Sequence, residues 1–121
     1  MIQRQTILDI ADNTGAKKLM CIGIPGSNKK EAKLGDLIIG VVKKATPNMK
    51  IKQSQKVKAI IIRIKQKINR FEIGKILFSS NAAVIVNDDI NPIGTRIFGP
   101  IAQEIKNKKY SKIVAISEKI V

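Results

Sequence analysis

The sequence predicts a mostly β protein, a small β-barrel of the SH3-like or OB-like kind followed by short C-terminal helices. Short β-rich runs recur with turn residues at intervals of about eight to twelve positions. The 121-residue chain is 44% hydrophobic but only 3% aromatic, so its core must be aliphatic. A helical period appears only behind Pro100. Together these three observations favour a closed sheet of short strands with a small helical tail.

A hairpin is predicted at the N-terminus. Residues Thr6 to Ile10 alternate between apolar and polar types, and "KKLMCIGI" from Lys17 to Ile24 is an apolar run opened by lysines. Both patterns are typical of strands. Between them, "DNTG" (Asp12 to Gly15) is turn chemistry, because Asp and Asn bond to nearby backbone and Gly15 accepts a positive φ.

Further strands are predicted in the middle of the chain. "LIIGVVKKA" (Leu37 to Ala45) and "KVKAIIIRIK" (Lys56 to Lys65) are β-rich runs. "KILFSSNAAVIV" (Lys75 to Val86) supplies one or two more strands. Gly40, inside the first of these runs, predicts a bulge or a sharp barrel bend.

The hydrophobic period changes in the C-terminal part. Ile101, Ile105 and Tyr110 follow Pro100 at helical spacing, so a short helix is predicted with Pro100 in its first turn. The last run, "SKIVAISEKIV", fits either a second short helix or a closing strand. We expect one domain over residues 1–121, with the barrel over about 1–86 and a loop with short helices over about 87–121.

The charge of the chain indicates a polyanionic partner. Twenty-three Lys and Arg against nine Asp and Glu give a net charge of +14. Such a charge repels a second copy of the chain, so no homo-oligomer is expected, and it attracts nucleic acid first and an anionic membrane second. Every apolar run is short, so no segment is expected to span a bilayer. The N-terminus lacks the pattern of a secretory signal, and the mature protein is expected to start near Met1.

Catalytic and metal chemistry are not expected, and neither is a cofactor. The chain has no histidine, the usual general base near neutral pH. Its single cysteine, Cys21, lies in an apolar run that predicts a buried, unreactive thiol. Asp88 and Asp89 are adjacent, which suits a solvated turn better than a magnesium site. The least favoured hypothesis is that the chain is an RNA-processing enzyme that uses Asp36, Asp88 or Asp89.

Lysine clusters along the whole chain form the strongest functional signal. Some are expected only to solvate the surface, but Lys56 and Lys58 fall on one face of a strand and would form a track for phosphates. Because aromatic residues are scarce, base stacking fits poorly and a folded RNA recognised through its phosphates fits better. The candidate phosphate contacts are Lys17, Lys18, Lys29, Lys30, Lys43, Lys44, Lys56, Lys58, Arg63 and Lys65.

The segment "NPIGTRIFGP" (Asn91 to Pro100) is predicted to hold an arginine stiffly. Arg96 would project from it as a planar, permanently charged group, and a salt bridge to an acid within the domain is the alternative. Positive φ is expected at Gly94. Six residues would fix the segment. Pro92 and Pro100 restrict the backbone angle φ, Gly94 and Gly99 allow tight bends, and Ile97 and Phe98 would anchor the segment in the core.

Five segments together resemble the universal large-subunit ribosomal protein family fourteen. They are "MIQRQTILDIADNTGAKKLMCI", "GDLIIGVVKKATPNM", "VKAIIIR", "FSSNAAVIV" and "NPIGTRIFGPIAQEI", and they cover nearly the whole chain in order. The resemblance implies a five-stranded β-barrel with a small helical C-terminal part. It also implies binding to large-subunit rRNA at the face that meets the small subunit, so the candidate phosphate contacts become candidate rRNA contacts.

The resemblance implies particular partners as well. These are large-subunit proteins of families three and nineteen, small-subunit rRNA across the interface, and a ribosome-silencing factor that blocks subunit joining. The factor's contacts fall on Thr95, Arg96 and Lys112.

The alternative function is that of a free-standing basic barrel that acts as a nucleic-acid chaperone or regulator. The intersubunit bridge would be formed by the C-terminal region and the loop "ATPNMK" (Ala45 to Lys50), with Pro47, Asn48, Met49 and Lys50.

The expected compartment is the plastid stroma, with the bacterial cytoplasm or the mitochondrion as alternatives. Lysine outnumbers arginine 19 to 4, a skew that suggests an A+T-rich genome. The segment "KKATPNM" is similar to plastid (chloroplast) members of the family. These two observations favour an organelle ribosome.

Overall fold

The chain is mostly β over the residues that the computed structural model describes, which are 2–25, 31–65, 68–70, 74–76, 78, 80–107, 110–117 and 119–121. Its elements, in chain order, are β1 (Ile7–Ile10), β2 (Ala16–Gly23), β3 (Leu37–Ala45), β4 (Lys56–Arg63), β5 (Ile68–Arg70), β6 (Gly74–Ile76), β7 (Ala82–Val86), β8 (Pro100–Ile101), α1 (Gln103–Asn107), α2 (Ser111–Ile116) and β9 (Lys119–Ile120).

A closed barrel is formed by β1-β2-β3-β4-β7 in that order. Neighbouring strands are antiparallel except β1 and β7, which close the barrel as a parallel pair with Asp9 opposite Ala82. This architecture confirms the predicted fold class. Because closure leaves these strands without free edges, the outward side chains define the barrel surface.

Two apolar layers hold the molecule together. Leu19, Val42 and Ile61 are among the inward residues that fill the barrel. On the outer face of β4 and β7, Ile60 and Val84 belong to a second buried cluster that includes residues of the C-terminal part, Ile101, Ile105 and Ile113. Since β7 and residues 59–62 of β4 are buried on both faces, the C-terminal part is fixed against the barrel.

The predicted N-terminal hairpin is confirmed, and its turn is built on a buried carboxylate. Asp12 is 5% exposed, and its Oδ1 accepts hydrogen bonds from the Thr14 N–H at 3.2 Å and the Thr14 hydroxyl at 2.6 Å. Its Oδ2 accepts from the Ile85 N–H at 2.9 Å, which ties the turn to β7. Burial raises the pKa of this carboxyl above its ordinary value of 3.8. Gly15 has the predicted positive φ, +104°.

Gly40 makes room for a core side chain. β3 pairs with β4 in continuous register through Gly40, and of the three irregularities in the β2–β3 pairing the one next to Gly40 lies on β2, between Cys21 and Gly23. A Cβ at Gly40 would lie 2.6 Å from Cγ of the buried Leu19. The predicted bulge is therefore found on the neighbouring strand, across from the glycine.

The short helix predicted behind Pro100 is confirmed as α1, but its predicted start, with Pro100 in the first turn, is wrong. Pro100–Ile101 forms β8, which pairs in parallel with β9, and α1 begins only at Gln103. The Ala102 N–H donates to the Ile62 carbonyl at 3.1 Å, and this bond holds the stretch extended against the barrel. Both alternatives for the last run occur, because α2 is followed by β9.

The other strand predictions hold with small changes. β3 has the predicted bounds, β4 stops at Arg63 instead of Lys65, and the run from Lys75 to Val86 contains β7 and part of β6. β5, which pairs with β6, is not predicted because so short a strand shows no period. Within the described ranges, no helix has the length and hydropathy needed to cross a bilayer.

Candidate nucleic-acid interface

Three lysines share the outward side of β3 and β4. Lys56 and Lys58 alternate with the buried Val57 on β4, so the prediction that they share one face is confirmed. Lys43 follows the buried Val42 on β3 and points to the same outward side. We call Lys43, Lys56 and Lys58 the basic face.

A shallow groove of about 280 Å³ borders the basic face, and its lining combines Lys56 and Lys58 with apolar Ile39 and Val86. Such a floor accommodates the aliphatic stems of lysines while their ammonium groups stay in water. Lys58 also forms an ion pair with Asp88 at 3.3 Å. Exposed pairs contribute only about 0–1 kcal/mol, so a phosphate can replace this carboxylate.

The remaining predicted phosphate contacts are spread over neighbouring parts of the barrel. Lys18 and Lys44 are cross-strand partners on β2 and β3, and Lys18 also forms an ion pair with Asp9. Lys17 and Lys65 are exposed. The predicted contacts that lie outside the described residues are Lys29 and Lys30.

Arg63 cross-links the barrel to the segment 91–100. Its Nη1 donates to the carbonyl oxygens of Phe98 at 3.1 Å and Pro100 at 3.0 Å. The Nε atom is buried without a hydrogen-bond partner in the described part of the chain, and burial lowers the pKa of the guanidinium from its usual value. A Cβ on Gly99, whose φ is +79°, would lie 2.5 Å from Nη1. The arginine predicted to meet phosphate thus has an internal role.

The loop 46–50 is exposed but held at both arms. The Thr46 N–H donates to the Gly15 carbonyl at 2.7 Å, and the Ile51 N–H donates to the Thr14 carbonyl at 3.3 Å. Ile51 is 4% exposed and anchors the loop in the core. The residues predicted to form an intersubunit bridge are all exposed at its tip, namely Pro47, Asn48, Met49 and Lys50.

The segment 91–100 is anchored by Ile97, and the core position predicted for Phe98 is wrong. Ile97 is fully buried, whereas Phe98 is 46% exposed. Asp12 and Ile97 form a strand-like bridge, and successive side chains of extended backbone point to opposite sides. Arg96 is exposed, and its guanidinium carbon lies 5.2 Å from the centroid of the Phe98 ring, a cation–π contact.

Gly94 does not have the positive φ that the sequence predicts. Left-handed φ values occur among the described glycines at Gly15, Gly35 and Gly99. The reason for glycine at position 94 is steric, because a Cβ there would lie 2.7 Å from Oδ1 of Asn13. The segment therefore packs directly onto the β1–β2 turn.

Thr95 and Lys112 line one groove, of about 410 Å³, between the segment 91–100 and α2. Lys112 is exposed on α2. The structure thus brings together two of the three residues predicted for one partner, and the third, Arg96, follows Thr95 in the chain. Other lining residues are Asn91, Pro92, Gly94, Ala115 and Ile116.

Asn13 supports this surface through hydrogen bonds within the chain, a role that the sequence does not reveal. Its side chain forms hydrogen bonds with Thr95 and with the backbone of Arg96. The turn signal "DNTG" identifies Asn13 only as a turn former. Because the partners lie 82 and 83 residues away, no local pattern could have found the contact.

The described residues contain no grouping of three or more His, Cys, Asp or Glu that could hold a metal ion. Cys21 is buried as predicted, and burial raises the pKa of its thiol. Asp88 and Asp89 lie in an exposed turn, in which the Asp89 N–H donates to Oδ1 of Asn87 at 3.0 Å. The turn predicted at these aspartates is therefore confirmed.

Comparison with known families gives a match over the full length of the chain. The family model described as Ribosomal protein L14p/L23e matches residues 1–121. The matched range includes the barrel, the loop 46–50 and the segment 91–100.

Proposed function

We propose, because the chain belongs to the ribosomal protein L14p/L23e family, that it binds large-subunit rRNA and contributes to contacts between the ribosomal subunits. The family makes the chain a structural constituent of the large ribosomal subunit, located in the ribosome. The observation that best supports rRNA binding is the basic face, where three cations stand on the outward side of a closed barrel.

The barrel contributes by holding these cations in fixed positions. Residues two apart in a strand are separated by about 6.6–6.8 Å, so Lys56 and Lys58 can each meet a separate phosphate. Phosphate contacts position a protein on folded RNA without reading its sequence. A net charge of +14 adds long-range attraction. Further proposed contacts on this RNA are Lys17, Lys18, Lys29, Lys30, Lys44 and Lys65.

For the intersubunit bridge we propose the tip of the loop 46–50, which would meet small-subunit rRNA. Its anchors at Gly15, Thr14 and the core keep the tip projecting without a large ordering cost. The exposed Lys50 supplies a charge for a phosphate, and Met49, 42% exposed, supplies apolar contact area.

For the ribosome-silencing factor we propose the groove between the segment 91–100 and α2. Thr95 and Lys112 line it, and Arg96 is exposed beside it. An apolar floor with two cations nearby suits a protein surface that carries acidic side chains. Large-subunit proteins of families three and nineteen are the proposed neighbours within the subunit.

We propose no catalytic step and no cofactor for this chain. Its only thiol is buried with a raised pKa, and it has no histidine.

For the compartment we propose the plastid, because the ratio of lysine to arginine is 19 to 4. Recovery of the chain from purified plastid ribosomes tests this, and recovery from mitochondrial or bacterial ribosomes alone would contradict it.

Sedimentation tests the rRNA-binding proposal. We expect the tagged chain to travel with the large subunit at one copy per particle through a moderate-salt wash. A variant with Lys43, Lys56 and Lys58 changed to alanine should bind large-subunit rRNA more weakly, and each lost contact should lower the log–log salt slope by about 0.7–0.9. The matched control removes the same charge from exposed lysines elsewhere, namely Lys33, Lys52 and Lys119.

Two outcomes would contradict the proposal. Sub-stoichiometric recovery with release by the wash would favour a free-standing nucleic-acid chaperone or regulator. Equal losses in the triple variant and its control would show that general charge, and not the basic face, binds the RNA.

A further inference from the structure

Asn13 joins the β1–β2 turn to the segment 91–100 through both ends of its side-chain amide. Its Oδ1 accepts hydrogen bonds from the Thr95 N–H at 2.9 Å and from the Arg96 N–H at 3.3 Å. Its Nδ2 donates to the Thr95 Oγ1 at 2.9 Å. One side chain therefore restrains the backbone at two residues and the hydroxyl of Thr95.

The restrained stretch has no helix or strand of its own. Bridges hold its two ends, one between Val86 and Pro92 and the other between Asp12 and Ile97. Residues 93–96 between these bridges are bends or irregular backbone. Backbone N–H groups in such a stretch require acceptors, and Asn13 supplies one acceptor to two of them.

The turn that carries Asn13 is held firmly to the barrel. The neighbouring Asp12 is buried and accepts hydrogen bonds from Thr14 and from the Ile85 N–H of β7. Gly94 leaves the space that the amide occupies, since a Cβ there would lie 2.7 Å from its Oδ1. Asn13 thus fixes Thr95 and Arg96 relative to the barrel wall.

We propose that Asn13 is a positioning residue that holds Thr95 and Arg96 in the geometry required by the ribosome-silencing factor, an inference that rests on the proposed function. Asn13 itself contacts no partner in this role. With Asn13 in place, Thr95 faces the groove it shares with Lys112, and Arg96 lies over the Phe98 ring. Without it, binding must also order the stretch, which costs affinity.

The test measures affinity for the silencing factor by titration calorimetry on the isolated chain. Asn13→Ala removes all three hydrogen bonds and should weaken binding about tenfold. Asn13→Asp keeps an acceptor for both N–H groups and should keep the Thr95 and Arg96 amides protected from hydrogen exchange. The matched control is Asn81→Ala, which removes a side-chain acceptor from the Lys65 N–H (2.7 Å) outside this segment, and it should bind like the parent chain.

Hydrogen exchange separates positioning from general stability. In Asn13→Ala, the amides of Thr95 and Arg96 should exchange faster, while the amides of β3 and β4 keep their protection. General loosening of the barrel in this variant, or weaker binding by Asn81→Ala as well, would overturn the positioning role.

Two further outcomes distinguish this inference from the proposed function. If Arg96→Ala loses binding while Asn13→Ala binds like the parent chain, the positioning role is wrong and the proposed partner stands. If the parent chain does not bind the factor at all, the proposed partner is wrong, and the positioning role is overturned with it.

Discussion

Replacing Arg63 with methionine distinguishes an arginine that holds the fold from one that contacts RNA. The change removes the hydrogen bonds from Nη1 to Phe98 at 3.1 Å and to Pro100 at 3.0 Å. Bonds to charged groups contribute about 1.5–3 kcal/mol each, but the first of these is exposed. Methionine also removes the cost of burying an unpartnered Nε. We therefore expect a net loss of about 1–3 kcal/mol in the free energy of unfolding.

Urea unfolding followed by circular dichroism measures this loss as a lower midpoint with an unchanged slope. The matched control is Lys65→Met, which removes the same charge from an exposed neighbour and should change stability by less than about 0.5 kcal/mol. Binding to large-subunit rRNA should respond in the opposite way. Lys65→Met should lower the log–log salt slope by about 0.7–0.9, and Arg63→Met should leave it unchanged.

Both variants must be compared at a temperature where each is folded. If Arg63→Met is as stable as the parent chain and lowers the salt slope, Arg63 contacts phosphate and the structural role assigned to it is wrong.

Three further predictions concern the barrel and its turn. Gly40→Ala places a methyl 2.6 Å from a buried leucine and should lower the free energy of unfolding by about 1–3 kcal/mol. Gly23→Ala is the neutral control, because no atom of the described residues lies within 4 Å of a Cβ at that position. Gly15→Ala, at φ +104° and 2.2 Å from Cβ of Met49, should displace the loop 46–50 and speed its hydrogen exchange. Burial raises the pKa of Asp12 above 3.8, so its contribution to stability should be greatest below that pH and fall as the pH rises through the folded-state pKa. Urea titrations from about pH 3 to about pH 7 should show a smaller fall for Asp12→Asn.

The parts of the fold that the sequence predicts correctly are those set by local patterns. The N-terminal hairpin and β3 follow from alternation and turn residues, which act over a few positions. Gly40 is different, because its reason is a leucine on the neighbouring strand. The helix behind Pro100 is predicted correctly but three residues too early, because β8 depends on pairing with β9 and no local period reports that pairing.

The candidate site also contains residues that local patterns predict and residues that only tertiary contacts explain. The shared face of Lys56 and Lys58 follows from strand period alone. Arg63 and Asn13 depend on distant partners, since Phe98 lies 35 positions after Arg63 and Thr95 lies 82 positions after Asn13. Charge and turn propensity identify these two residues as a cation and a turn former, but only the tertiary structure gives their contacts.

A density map of the large ribosomal subunit purified from the source cells tests the central claim most directly. We expect one copy of the barrel per subunit, with Lys43, Lys56 and Lys58 against rRNA phosphates and the loop 46–50 facing the small subunit. A map of intact subunits without this chain, or with its basic face turned to solvent, would contradict the proposed role.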